Sequence, residues 1–303
     1  MNHDADQAKQ AAPILDRLQA GESLTTEEVV RHRSDPAILP ALLGSVKDRH
    51  PGVRRAALPL LVDLGRPVQK AHGDVPELLA PYLDEPSVVA HLVGALGDED
   101  TGVRNAAALA LAAEVPEPAL RDHSREVIET IRKYPGTDGA ALLLGRIGAE
   151  AGRRLILSTP KLRDASPADT RVALGRLGDH GAEGELIKAY QEAKDPEDKA
   201  RDALRLGHLG TPRAVLALAR DMRTPEAYVW RMNSRRSMRV HLIEALHVAF
   251  LTEPAFWRPF YKPEDDSYYE GVERWLTANL GVTWSKPRPE FLYEEDAPIM
   301  PRQ

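Results

Sequence analysis

Between residues 220 and 239 the chain gathers Arg220, Arg223, Arg231, Arg235, Arg236 and Arg239 against only Asp221 and Glu226. Six positive minus two negative charges give a local +4 inside a protein of net charge −6. Tyr228 and Trp230 lie in the same stretch, which reads "TPEAYVWRMNSRRSMRVH" from Thr224. Guanidinium forks suit carboxylate or phosphate, and the rings add stacking surface, so the chemistry indicated is the binding of an anion or an acidic partner. Thr224-Pro225 marks a helix start. A break is expected near Asn233-Ser234, which puts Arg235 and Arg236 in the first turn of the next helix. Cations there oppose the helix dipole, and a local rule broken without compensation points to a partner. The chain also offers a partner of its own: Glu290, Glu294, Glu295 and Asp296 of the tail, with Phe291 and Tyr293 between them.

Other chemistries find no footing. With no cysteine there are no thiolate metal sites, disulfides or cysteine nucleophiles. A helix-borne metal pair wants histidines four apart, whereas His241 and His247 are six apart and fall on different faces. The glycines of "LGRIG" and "LGRLG" end helices instead of following strands, so they cradle no phosphate, and no Gly-x-Ser-x-Gly elbow occurs. The sequence therefore assigns no catalytic residue, no metal and no cofactor, and leans away from an enzyme.

The elements that must position the arginines are helical. Hydrophobic residues make up 43 % and charged residues 28 % of 303, a folded composition. Aromatics are 5 %, while helix-favouring Ala, Leu and Arg are plentiful. The acidic balance supplies no global field for nucleic acid or an anionic membrane. No apolar run is long enough to span a bilayer, and "MNHDADQAKQAAPIL" lacks the pattern of a signal peptide, so a cytoplasmic location is expected.

The helices repeat. "KDRHPGVRRAALPLLVDLG" from Lys47 returns as "GDEDTGVRNAAALALAAEV" from Gly97. Val53, Ala57, Leu60, Leu61 and Leu64 recur at threes and fours, and Val103, Ala107, Ala110, Leu111 and Glu114 hold the same offsets. A shorter apolar helix precedes each copy: "AILPALLGSV" from Ala37 and "SVVAHLVGAL" from Ser87. "LGRIG", "LGRLG" and "LGHLG" begin at Leu144, Leu174 and Leu206, steps of 30 (174 − 144) and 32 (206 − 174). Such a step signals stacked repeats, because one helix pair cannot bury its own apolar face. "DVPELLAPYL" from Asp74 reads as an inserted helix.

These segments resemble HEAT repeats, especially the short bacterial type first noted in phycobilisome lyase subunits, over roughly residues 36–221 and about five repeats. The resemblance implies an all-α fold: a right-handed α-solenoid of stacked antiparallel helix pairs with helical caps. The expected division is an N-terminal helical cap over 1–35, repeats over 36–221, an aromatic-rich helical cap over 222–281 and an extended, proline-rich acidic tail over 282–303. In that family a turn Asp and a helix Arg form ladders between neighbouring repeats. The matching positions are Asp48 with Arg54, Asp98 with Arg104 and Asp195 with Arg201, each pair six apart. A turn carboxylate also satisfies open N–H groups of the next helix, so these pairs are structural.

The function expected from all this is a non-catalytic scaffold that binds a protein or peptide in the groove of its second helices, with the basic stretch as a polar anchor. One rival is a DNA-repair enzyme, since alkylpurine DNA glycosylases share a HEAT-like fold; the acidic balance argues against it. A bilin lyase-like chaperone is implied only by the repeat type. The iron-binding HEAT hydroxylases use His-Glu dipeptides, and none occurs here.

Overall fold

The computed structural model describes residues 38–65, 68–70, 77–79, 85–231, 236–251, 253, 256, 266–284, 289 and 292–293. The expected N-terminal cap lies outside them. Two compact units make up the chain, one of residues 1–68 with 78–173 and one of 69–77 with 174–303, so the cut falls inside the expected repeat block.

The first unit holds α1 (Ile38–Ser45), α2 (Pro51–Gly65), α3 (Pro86–Ala95), α4 (Thr101–Glu114), α5 (Glu117–Asp122), α6 (Ser124–Lys133), α7 (Ala140–Ile147), α8 (Glu150–Ser158) and α9 (Pro160–Ala165). Helix α1 packs on α2, and α3 on α4; the second helices α2, α4 and α7 then pack in succession. This is the stack of helix pairs that the repeats require. Small residues set the spacing: Ala57 and Ala107, at the same place in successive copies, are fully buried. The Asp100 carboxylate starts α4 by accepting from the Val103 N–H at 2.9 Å.

Helix α10 (Pro167–Arg176) spans the cut. The second unit continues with α11 (His180–Glu192), α12 (Pro196–Leu209), α13 (Pro212–Asp221), a 3-10 turn (Pro225–Tyr228), α14 (Met238–Ala249) and α15 (Asp266–Leu280). The two glycines of the LGxxG motif turn out to do different things. The last one leaves the helix in the left-handed region, at φ 70° for Gly148, 95° for Gly178 and 63° for Gly210. The first lies inside a helix at a close approach. A Cβ on Gly145 would sit 2.8 Å from the Ala173 Cα, one on Gly175 2.9 Å from the Leu209 Cδ1, and one on Gly207 would strike the Ala245 carbonyl.

Two expectations are corrected. Within "DVPELLAPYL" the described piece, Glu77–Leu79, is a short strand (β2) and not helix, as is Val68–Lys70 (β1). Pro81 opposes helix here, because it restricts the residue before it and lacks the N–H that a helix would aim back at the Glu77 carbonyl. The basic stretch also departs from helix after Tyr228, passing through β3 (Val229–Arg231) and β4 (Arg236–Ser237) before α14. Tyr-Val-Trp favours strand, and the polar residues that follow suit a turn. A last strand, β5 (Leu292–Tyr293), joins them in the order β4-β3-β5.

Candidate functional site

The arginines of the basic stretch divide by environment. Arg239, expected on a binding surface, is 1 % exposed, and Tyr228 is 2 % exposed. The Arg239 guanidinium carbon lies 4.5 Å from the Tyr228 ring centroid and 3.1 Å from that of Tyr269. The helix that begins at Met238 therefore has a cation in its first turn after all, compensated by the faces of two aromatic rings. Arg236 lies in β4, ahead of that helix, and the expected first-turn placement is corrected for it; Arg235 lies outside the described residues.

Arg223 faces inward as well. Its Nη2 donates to Glu273 Oε2 at 2.6 Å and its Nε to Oε1 at 3.2 Å, a two-pronged pair whose carboxylate side chain is 4 % exposed. The same guanidinium stacks over the Trp284 ring at 4.7 Å, and Trp284 Nε1 donates to Thr277 Oγ1 at 2.9 Å. Glu273, which holds Arg223 in this way, belongs to α15. Arg220 is exposed at the end of α13. Beside it, Asp221 Oδ2 accepts from Tyr190 Oη at 2.8 Å and pairs with Lys199 Nζ at 2.7 Å, tying α11, α12 and α13 together. Burial first, and then the Asp221 charge, push the Tyr190 hydroxyl well above the ordinary tyrosine range.

Trp230 and Arg231 lie on β3. Antiparallel pairing sets Trp230 opposite Ser237 and Arg231 opposite Arg236. On the other edge β5 runs parallel, with Val229 beside Leu292 and Trp230 beside Tyr293. Among the described residues Phe250, Phe256 and Trp275 form a ring cluster, meeting pairwise at 4.9–5.0 Å between centroids.

The turn pairs resolve into rungs. Arg54 Nη1 donates to the carbonyls of Asp48 at 2.8 Å and Arg49 at 3.1 Å, closing its own turn. Its other face meets the next turn, with Nε 2.7 Å from Asp98 Oδ2 and Nη2 2.8 Å from Oδ1. That carboxylate holds the Arg54 guanidinium above its ordinary pKa. Arg104 repeats the first half, donating to the carbonyls of Asp98 and Glu99 at 2.7 and 2.9 Å, and lies 4.6 Å from the Tyr134 ring centroid. Asp195 and Arg201 differ. Asp195 caps α12, accepting from the N–H groups of Glu197 and Asp198 at 2.8 and 3.1 Å, while Arg201 pairs on the surface with Asp198 at 2.7 Å.

Two further arginines escaped the sequence reading. Arg146 of "LGRIG" is 5 % exposed and donates to the carbonyls of Ala112 and Val115 at 2.7 and 3.0 Å, at the end of α4. Burial pulls its pKa down to about 10, which leaves it charged at neutral pH. Arg176 of "LGRLG" likewise donates to His208 and Leu209 at 2.9 and 3.1 Å, at the end of α12. The recurring Arg was the available signal, since open carbonyls at a helix end attract cations. Among the described residues no group of three or more His, Asp or Glu is placed to hold a metal, and no helix is long and apolar enough to cross a membrane.

The class this geometry defines is a HEAT-like stack of helix pairs. No protein family and no curated protein matches the chain. Among solved structures it is similar to the complex of CpcE and CpcF of phycocyanin lyase from Nostoc sp. PCC7120, at 15 % identity over 84 % of this chain and 95 % of that one, with a TM-score of 0.45. An engineered protein is similar at 15 % identity over 86 % of this chain and all of its own, with a TM-score of 0.33.

Proposed function

We propose that this protein is a non-catalytic interaction scaffold that binds a protein or peptide partner on the outward stripe of its second helices, with the basic stretch as a separate polar contact. The observation that supports this is the pinned surface of the first unit. Arg55 and Pro59 of α2 and Leu109 of α4 are exposed, and Leu109 keeps 47 % of its surface in solvent. The helices beneath are fixed to one another along that stripe: Arg55 Nη2 reaches both Asp100 carboxylate oxygens at 3.2 Å, and Asn105 Nδ2 donates to Asp138 Oδ2 at 2.8 Å. A surface ordered before binding loses little entropy on association. Affinity capture from the native host with the parent and with Leu109→Asp tests it. The same protein should be retained by the parent and lost by the variant. Capture unchanged by the variant, or salt-sensitive retention of duplex DNA in its place, would overturn the reading in favour of another face or of the DNA-repair alternative.

A further inference from the structure

The three-stranded patch of β4, β3 and β5 has an unusual composition. β3 and β4 form a hairpin, and the strand on the other edge of β3 comes from the far end of the chain. Arg231 and Arg236 stand directly opposite each other across that hairpin. Like charges at opposed positions are destabilising, so the hairpin alone violates a pairing rule. Acids that could offset it stand next to the third strand in the sequence. It is flanked in sequence by Glu290 on one side and by Glu294, Glu295 and Asp296 on the other. Its register sets Tyr293 beside Trp230, and the residue following each is Glu294 and Arg231 respectively. An extended segment that adds to a sheet edge gains affinity from main-chain hydrogen bonds and selectivity from flanking side chains. Parallel pairing over only two residues is weak, and an exposed edge left behind is a template for another strand.

We infer that the edge of β3 is a strand-docking site for acidic, aromatic peptides, and that the chain's own Leu292–Tyr293 segment occupies it in cis. An incoming partner strand of the same chemistry displaces the tail and takes over the basic hairpin. This deepens the polar-contact part of the proposed function and rests on it; the Leu109 stripe is not involved, so failure here leaves that stripe standing.

The test uses the full-length chain and a fluorescent peptide of residues 289–296, PEFLYEED. Because the chain has no cysteine, Val229→Cys with Leu292→Cys gives one possible intramolecular disulfide, between neighbouring strands whose separation of about 4.8 Å is within reach of the bond. That pair should oxidise within the monomer, and the locked chain should not bind the peptide. Leu292→Pro with Tyr293→Pro, which removes strand pairing without altering charge, should bind it at least about ten-fold more tightly than the parent, a difference of about 1.4 kcal/mol. Adding Arg231→Glu and Arg236→Glu to that variant should abolish binding. Helical circular dichroism equal to the parent's shows that each variant is folded. Disulfide-linked dimers in place of the monomer bond would overturn occupancy in cis, assigning the strand to a second copy. Equal peptide affinity of parent and proline variant, or none in either, would overturn the docking site.

Discussion

Both units tie neighbouring helix pairs with an arginine that donates to helix-end carbonyls, Arg146 in one and Arg176 in the other, but they differ in the contacts that surround these ties. In the first, successive helix pairs are joined by side chains that reach from one repeat to the next: Arg54 to Asp98, Asn105 to Asp138, and Arg146 back to the end of α4. In the second, the largest approach is made by a missing side chain, with Gly207 of α12 against the backbone of Ala245 in α14. Large rings then complete the core, with Arg239 between Tyr228 and Tyr269, and Phe250, Phe256 and Trp275 together. A repeat that faces a copy of itself can use a periodic polar rung, because donor and acceptor recur at fixed places. Helix α14 instead meets α12 through the close approach at Gly207, and the rings beside it fill space by shape and area.

If the units differ in this way, their weakest substitutions should differ too. The largest effect is expected at Gly207→Val, where even a Cβ strikes backbone; a loss of about 4 kcal/mol, read by urea denaturation, tests the close approach. Gly271→Ala is the matched control: the site lies within α15 with nothing within 4 Å of an added Cβ. It should gain about 0.5–1 kcal/mol, from helix propensity.

Breaking the rung should come next. Arg54→Ala leaves the Asp98 carboxylate, 13 % exposed, without its cation and should cost about 3 kcal/mol. Arg201→Ala, at the same nominal spacing but on the surface, should change stability by less than about 0.5 kcal/mol. Equal losses at both positions would erase the distinction between the two kinds of pair.

A smaller and pH-dependent effect belongs to Glu183, whose side chain is 5 % exposed and accepts from Thr211 Oγ1 at 2.6 Å and Arg213 Nη1 at 2.9 Å. The Thr211 hydrogen bond, and then the Arg213 charge, hold its carboxyl below the ordinary range, although burial opposes them. A depressed carboxyl stabilises the fold above its unfolded pKa, and that contribution is lost as pH falls through the folded value. Glu183→Gln should therefore cost about 2 kcal/mol at neutral pH and progressively less on acidification, as read by thermal melts across the acid range.

The helix pairs were legible because their apolar period and glycine ends are local. The polar rung was legible only in part: the spacing from Asp98 to Arg104 is local, but the carboxylate's ionic partner is Arg54, 44 residues earlier. The spacing of Asp195 and Arg201 misled because Asp198, closer along the helix, takes the guanidinium instead. In the basic stretch the net charge could be counted, but burial could not. Arg239 and Arg223 are enclosed by Tyr269 and Glu273 of α15, which the chain reaches only some thirty to fifty residues later. The β3–β5 ladder was hidden for the same reason, since a two-residue strand carries no period of its own.

The proposed partner surface is the stripe of the second helices in the first unit. A photo-crosslinking amino acid placed at Leu109, and in a separate chain at exposed Arg132 on α6, can be activated in the native host and the adducts identified by mass spectrometry. A discrete adduct with one protein is expected from position 109 and none from position 132. The same adducts from both positions, or none from position 109 while position 132 reacts, would contradict the proposal.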